Sequence, residues 1–154
     1  MRMLREVGFL RSARRYRAIE RALRVAKELY GVRIIHFSVQ GNHLHLLVEA
    51  DDAESLSRAM QSLAVRLVWA LNRAAGRRGR VFADRYHSRA LATRREVANA
   101  LNYVLQNFRH HLREDVAPQG VDPCSSAVWI NLPLAPDAPI VPARTWLLRN
   151  AGDG

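Results

Sequence analysis

Two histidines separated by one large apolar residue, His43-Leu44-His45, sit inside the run from Ile35 to Glu49. Side chains alternate faces along a β-strand, so His43 and His45 point one way while Leu44, Leu46 and Val48 point the other. One face can then join a core while the other carries two convergent imidazoles. Neutral imidazole is a common metal ligand, and two on one rigid strand make half a site. The plainer reading is a pair of ordinary strand histidines. Downstream, Tyr103 and Asn107 lie four residues apart and share a helix face. Val97, Leu101, Val104, Leu105 and Phe108 form the packing stripe of that helix. A tyrosine is a covalent nucleophile only when activated, because a free phenol ionises near pH 10, roughly. Taken alone, the helix also fits a half-buried amphipathic tyrosine beside a surface amide.

The elements that must position these residues are legible in outline. Tyr16, Ile19, Leu23, Ala26 and Tyr30 recur at helical spacing and predict a helix over 13–30, stopped by Gly31. Arg14, Arg17, Arg21 and Arg24 populate its other side, either as a solvated face or as a track for a phosphate backbone. Val32 to Val39 reads as a strand, Gln40-Gly41-Asn42 as a tight turn, and His43 to Val48 as the antiparallel partner. Asp51-Asp52 opens a second helix with Leu56, Met60, Leu63, Leu67 and Leu71 on one face, running to about Ala75. Gly76 to Arg80 is a basic loop, suited either to gripping phosphates through Arg77, Arg78 and Arg80 or to plain solvation. Val81 to Leu91 alternates as a further strand. Thr93-Arg94-Arg95-Glu96 is a capping-box pattern that starts the Tyr103 helix, which ends near His110-His111. All the prolines lie from Pro118 onward, so the tail is expected to be an irregular wrap, with Trp129 and Trp146 packing it against the body.

Composition narrows the function classes. A net charge of +10 and a pI of about 11.2 lean toward polyanions, nucleic acid first and an anionic membrane surface second. Lys27 is the only lysine among the cations. Arginine suits bidentate phosphate contacts, although a GC-rich genome also replaces Lys with Arg. No stretch has the apolar length to span a membrane. Met1 to Glu6 carries charges where a signal peptide needs an apolar core, so a cytoplasmic protein is expected. Cys124 is the single cysteine, which excludes an intrachain disulfide and reads as a small packing residue. His36 reads as a structural partner on the preceding strand.

Three segments in order carry a family resemblance: Gln40 to Val48 with Asn42-His43-Leu44-His45-Leu46-Leu47-Val48, Val81 to His87, and Asn102 to Asn107. They resemble the single-tyrosine HUH transposases, and most nearly the REP-associated tyrosine transposases of bacteria. Asp122 to Trp129 is similar to a tail segment of that branch, and the similarity runs from about residue 10 to 148. The resemblance implies an α+β fold: a ferredoxin-like antiparallel sheet with helices on one face and an irregular Pro-rich tail. With the proline distribution, the expected organisation is a catalytic domain over 1–116 and a Pro-rich tail over 117–154 that packs on it. The resemblance implies a metal-dependent transesterase that cuts and rejoins single-stranded or hairpin DNA through a 5′-phosphotyrosine intermediate, as a monomer or a homodimer. Tyr103 would be the nucleophile, and His43, His45 and Asn107 would hold Mg²⁺ or Mn²⁺. Read from the residues themselves, Arg77, Arg78, Arg80, Arg85 and His87 are the candidate DNA contacts, with His87 equally able to sit on the sheet surface. The family fold begins with a strand beside the histidine strand. Met1 to Leu10 alternates poorly, so that strand is expected to be shortened or missing, which would expose an unpaired edge. The alternative is a domesticated, non-catalytic binder of hairpin or single-stranded DNA, which needs the basic face but not Tyr103 or metal. A second rival is a phosphoesterase that uses the histidines with an activated water.

Overall fold

The computed structural model describes residues 1–111, 121–130 and 135–150, with side chains to residue 106 in the first stretch. The element order is α1 (Ala13–Ala26), β1 (Glu28–Leu29), β2 (Val32–Val39), β3 (Leu44–Ala50), α2 (Ala53–Ala75), α3 (Arg94–His111) and α4 (Trp146–Arg149), with 3₁₀ turns at Arg5–Val7 and Ser126–Trp129. The strands form an antiparallel sheet in the order β1-β2-β3. Ser38 pairs with His45 and Phe37 with Leu46, so opposed residues share a face. Ile34, Phe37, Val39, Leu44, Leu46 and Val48 therefore point into one core, which α1 and α2 close with Ile19, Leu23, Met60, Leu63, Leu67 and Leu71. The opposite face carries His36, Ser38, His45, Leu47 and Glu49, and α3 lies over it with Val97 and Val104 buried. The expected α+β class with a ferredoxin-like sheet is borne out. The helix pair on one face is α1 and α2, and the tyrosine helix covers the other.

Local chemistry explains the element ends. Asp52 accepts from Ser55 N (2.7 Å) at the start of α2, and Gly76 stops that helix at a φ of 65°. At α3 the capping box closes in both directions: Thr93 Oγ1 accepts from Glu96 N, and Glu96 accepts from Thr93 N. The first helix ends earlier than its periodicity predicts. Lys27 O accepts from Ile34 N (2.8 Å), and Glu28 pairs with Arg33, so the sheet takes over the chain. Tyr30 and Gly31, at φ 52° and 74°, make the two-residue hairpin turn that joins β1 to β2.

The first strand is reduced to a rudiment that meets only the start of the histidine strand. Met3 N donates to Asn42 O and Leu44 N to Met1 O, both at 2.9 Å. On its other side Leu4 N donates to Val81 O (2.8 Å) and Ala83 N to Arg2 O (3.0 Å). Residues 1–4 thus bridge Asn42–Leu44, at the start of the histidine strand, to Val81–Ala83, and of β3 itself only Leu44 is bonded to this segment among the described residues. The strand expected over 81–91 is not formed: only the bridge of Met3 to Phe82 is present, with flanking bonds at Val81 and Ala83, and Arg80 Nε donates to Phe82 O (2.7 Å). Residues 84–91 have no regular structure.

The described tail residues line the other edge of β2. Val39 N donates to Cys124 O (2.9 Å) and Val141 N to Ile34 O (3.0 Å). Cys124 is buried, which raises its thiol pKa. Arg11 and Asp122 fix this segment by a bidentate pair at 3.0 and 2.7 Å, with Asp122 only 1% exposed. The paired carboxylate holds the Arg11 guanidinium protonated beyond its ordinary range.

Candidate functional site

The strand places both histidines on the face away from the core. Their rings lie parallel, 6° between planes and 6.0 Å between centres. His43 precedes the first regular residue of β3 and is held by the bridge to Arg2. Its Nδ1 lies 2.7 Å from Asn42 Oδ1. An amide oxygen there selects the tautomer with the proton on Nδ1 and puts the lone pair on Nε2. His45 meets Tyr103 of α3 edge to face, with centres 5.1 Å apart and planes at 87°. Tyr103 remains 52% exposed, so its ring is held on one side and its hydroxyl is not sealed in the core. One chain is enough to bring the tyrosine and the histidines together.

Beneath this surface the sheet is polar yet closed. Ser38 and Gln40 are buried and bonded to each other, Gln40 Nε2 donating to Ser38 Oγ. His36 shares its Nδ1 with Ser126 Oγ (3.1 Å), and burial pushes its pKa down to about 4. His36 is therefore a neutral, tail-bonded residue at physiological pH, in keeping with a structural role.

A cleft of about 990 Å³ opens beside His45 and Tyr103, bounded by Tyr86, His87, Val97 and Leu147. Its far wall belongs to the tail. Glu49 Oε1 accepts from Thr145 N and Thr145 Oγ1, each 2.7 Å, and from Arg144 N at 2.9 Å. Burial alone raises a carboxyl pKa. Here the donors of Thr145 and Arg144, with the Arg33 charge, outweigh it and hold Glu49 below the usual carboxylate range. Arg94 reaches over the Trp146 ring (5.5 Å) and donates to Asn150 O (2.9 Å), tying α4 to the start of α3.

The sequence-predicted residues divide into groups. His43, His45 and Tyr103 converge, and His87 lines the same cleft. Asn107 lies on α3 one turn beyond Tyr103, and its side chain is outside the described residues. Arg85 is exposed and does not line the cleft. Arg77, Arg78 and Arg80 sit in the loop after α2, away from the cleft lining, with Arg80 bonded to the chain it precedes. Sequence reasoning missed Asn42, although its position next to His43 was a usable signal. It also missed Thr145, Leu147 and Leu148 as cleft walls, for which no local signal exists.

Chemically, two parallel imidazoles on one rigid face, one with its tautomer set by an amide, are a donor pair suited to a borderline divalent ion. Among the described residues no group of three or more His, Cys, Asp or Glu side chains could hold a metal. Among the described residues a third protein ligand would therefore be an amide, hydroxyl or backbone oxygen. No helix among the described residues is long and apolar enough to cross a membrane.

A family model described as "Transposase IS200 like" matches residues 8–107, well over half of the chain. The matched stretch includes the histidine strand and the whole of α3 up to Asn107. No curated protein and no solved structure matches the chain.

Proposed function

Because the chain belongs to the IS200-like transposase family, we propose that the histidine strand and the tyrosine helix form a metal-dependent site for cutting and rejoining single-stranded DNA. The observation that carries this reading is the contact of Tyr103 with His45, beside the parallel ring of His43. A nucleophile and a donor pair for an ion that binds phosphate thus share one exposed surface. In this reading Tyr103 Oη attacks the phosphorus, the bond to the upstream 3′-oxygen breaks, and that oxygen leaves as a 3′-hydroxyl. The phosphorus stays on the 5′-oxygen of the strand downstream of the cut and is now bonded to the tyrosine. The phosphotyrosine conserves the bond, so the 3′-hydroxyl can reverse the step without ATP.

His43 and His45 would hold a divalent ion, Mg²⁺ or Mn²⁺, with Asn107 as the third ligand, and the ion supplies charge relief at the nonbridging phosphate oxygens. Asn42 orients His43. Tyr103 is kept at the cleft mouth by the ring contact with His45, and His87 and the tail wall limit how a strand enters. The REP-associated branch, with hairpin-bearing substrates, fits the segment from Asp122 to Trp129 that is bonded along β2. Arg77, Arg78, Arg80 and Arg85 are the proposed contacts to the flanking phosphates.

The test is incubation with labelled hairpin and single-stranded oligonucleotides in Mn²⁺ or Mg²⁺, followed by denaturing gels. A band resistant to SDS, carrying the strand downstream of the cut by its 5′ phosphate, is expected from the wild type and absent from Tyr103→Phe. If Tyr103→Phe cuts equally well, water is the nucleophile. If the wild type binds but never forms the adduct with either metal, a non-catalytic DNA-binding protein is the better account.

A further inference from the structure

The second surface of interest lies on the opposite side of the molecule. α1 and α2 pack on the core face of the sheet, and their outer sides leave a groove of about 970 Å³. Arg14 and Arg21 edge it on α1, and Arg66 and Arg73 on α2. All four are exposed, and no acidic side chain lines the groove. None of the four takes part in an ion pair among the described residues, although Arg24, on the same α1 helix, pairs with Glu20 and Asp137. On the groove floor Trp69 is 75% exposed, with Val65 and Val25 at 53% and 60%. A tryptophan so open is costly in water and needs a reason.

We propose that this groove binds a single strand of nucleic acid, with arginine rows on its phosphates and Trp69 stacked on a base. A positive channel with an aromatic platform is the arrangement that holds unpaired strands without reading their sequence. In each helix the arginines are seven residues apart, about 10 Å along the axis at 1.5 Å per residue. That spacing lets successive arginines meet separate phosphates of one strand. Charge decides against the other occupants. A second copy seated here would set arginines against arginines, and a purely apolar partner would leave four cations to be desolvated without partners.

The groove is separated from His43 and His45 by the sheet and the helix layer, roughly 20 Å from two packing distances of about 10 Å. It therefore cannot hold the nucleotides at the scissile phosphate. It holds DNA some way along the strand, or a second strand, and leaves the cleft clear. The choice of DNA rests on the family; the proposed tyrosine chemistry plays no part in it.

The experiment uses the whole protein in EDTA with a short oligothymidylate that has no hairpin, so that cutting is irrelevant. Tryptophan emission should fall on titration, should still fall in Trp146→Phe, and should be unchanged in Trp69→Phe. Trp69→Ala should weaken binding about fivefold or more, from the loss of one stacked base. Replacing Arg14, Arg21, Arg66 and Arg73 with Ala should lower the slope of log affinity against log salt by about 3 in all, at roughly 0.7 per phosphate. If that variant folds poorly, Arg14→Ala with Arg66→Ala should lower it by about half as much. An unchanged slope, or emission indifferent to the oligonucleotide, overturns the proposal. So does equal quenching by anionic phosphatidylserine vesicles, or self-association that Trp69→Ala abolishes. Adduct formation without groove binding sinks this proposal alone, and groove binding without an adduct sinks only the tyrosine mechanism.

Discussion

Glu49 is the residue whose removal should tell most about how the cleft is kept. Its carboxylate, 8% exposed, receives Arg144 N (2.9 and 3.0 Å), Thr145 N and Thr145 Oγ1 (both 2.7 Å), with Arg33 Nε at 3.4 Å. Glu49→Ala strips all of these donors of their acceptor. Breaking a buried ion pair from one side costs about 3–5 kcal/mol. Arg33 keeps Glu28 as a partner, so the lower end, about 3 kcal/mol, is expected. At this chain length that corresponds to a fall of about 10 °C in melting temperature. Glu49→Gln keeps an oxygen for Thr145 and loses mainly the charge, about 1–2 kcal/mol.

The pH dependence has a definite sign. The folded-state pKa of Glu49 is depressed, so its contribution is complete above the unfolded value, about 4.3 for a free Glu, and disappears as pH falls through the lower folded value. The gap between wild type and Glu49→Gln should be full at neutral pH and shrink progressively in acid. Urea titrations at neutral and acid pH measure it. Limited proteolysis should show faster cutting in 141–150 for Glu49→Ala, because those residues are what the carboxylate anchors. Equal stability of Glu49→Gln at neutral pH, a gap that persists unchanged in acid, or no change in proteolysis would refute the reasoning.

Asp122→Ala should cost about 3–5 kcal/mol by urea titration, since it leaves the Arg11 guanidinium, 17% exposed, with only Val39 O as a described acceptor. Asn42→Ala should weaken Mn²⁺ binding about tenfold or more in calorimetry, by freeing the His43 tautomer, while thermal stability changes little. Unchanged affinity would mean that His43 is oriented by something else. Replacing Arg77, Arg78 and Arg80 with Ala should lower the salt slope of single-strand binding by about 2 if the loop touches DNA, and an unaltered slope removes the loop from the interface. Tyr103→Phe should bind oligonucleotide as the wild type does while forming no covalent band, because the ring that meets His45 is retained.

Much of this architecture was local information. The alternation around His43-Leu44-His45 determined which side chains enter the core, because a strand has a period of two. The heptad-like face of α2, its start at Asp52 and its end near Ala75, and the Thr93–Glu96 box were written in adjacent residues and folded as read. The net charge was equally plain, but not its distribution, since arginines far apart in sequence became one groove only when α1 packed against α2. Long-range pairing decided the rest. Helix periodicity over 13–30 lost its last turn to the β1–β2 hairpin, because ladder bonds at Lys27 and Glu28 compete for the same backbone groups. The strand expected over 81–91 was reduced to a bridge where Arg2 to Leu4 lie against Val81 to Ala83, because a strand needs a paired neighbour to persist. The poorly alternating start of the chain became that neighbour because Asn42 and Leu44 offered unpaired backbone groups beside the histidines. The sequence placed Tyr103 on a helix face and the histidines on a strand face. Only the packing of α3 over the sheet brought those faces to 5.1 Å, because contact between distant segments is set by the whole core and not by either segment.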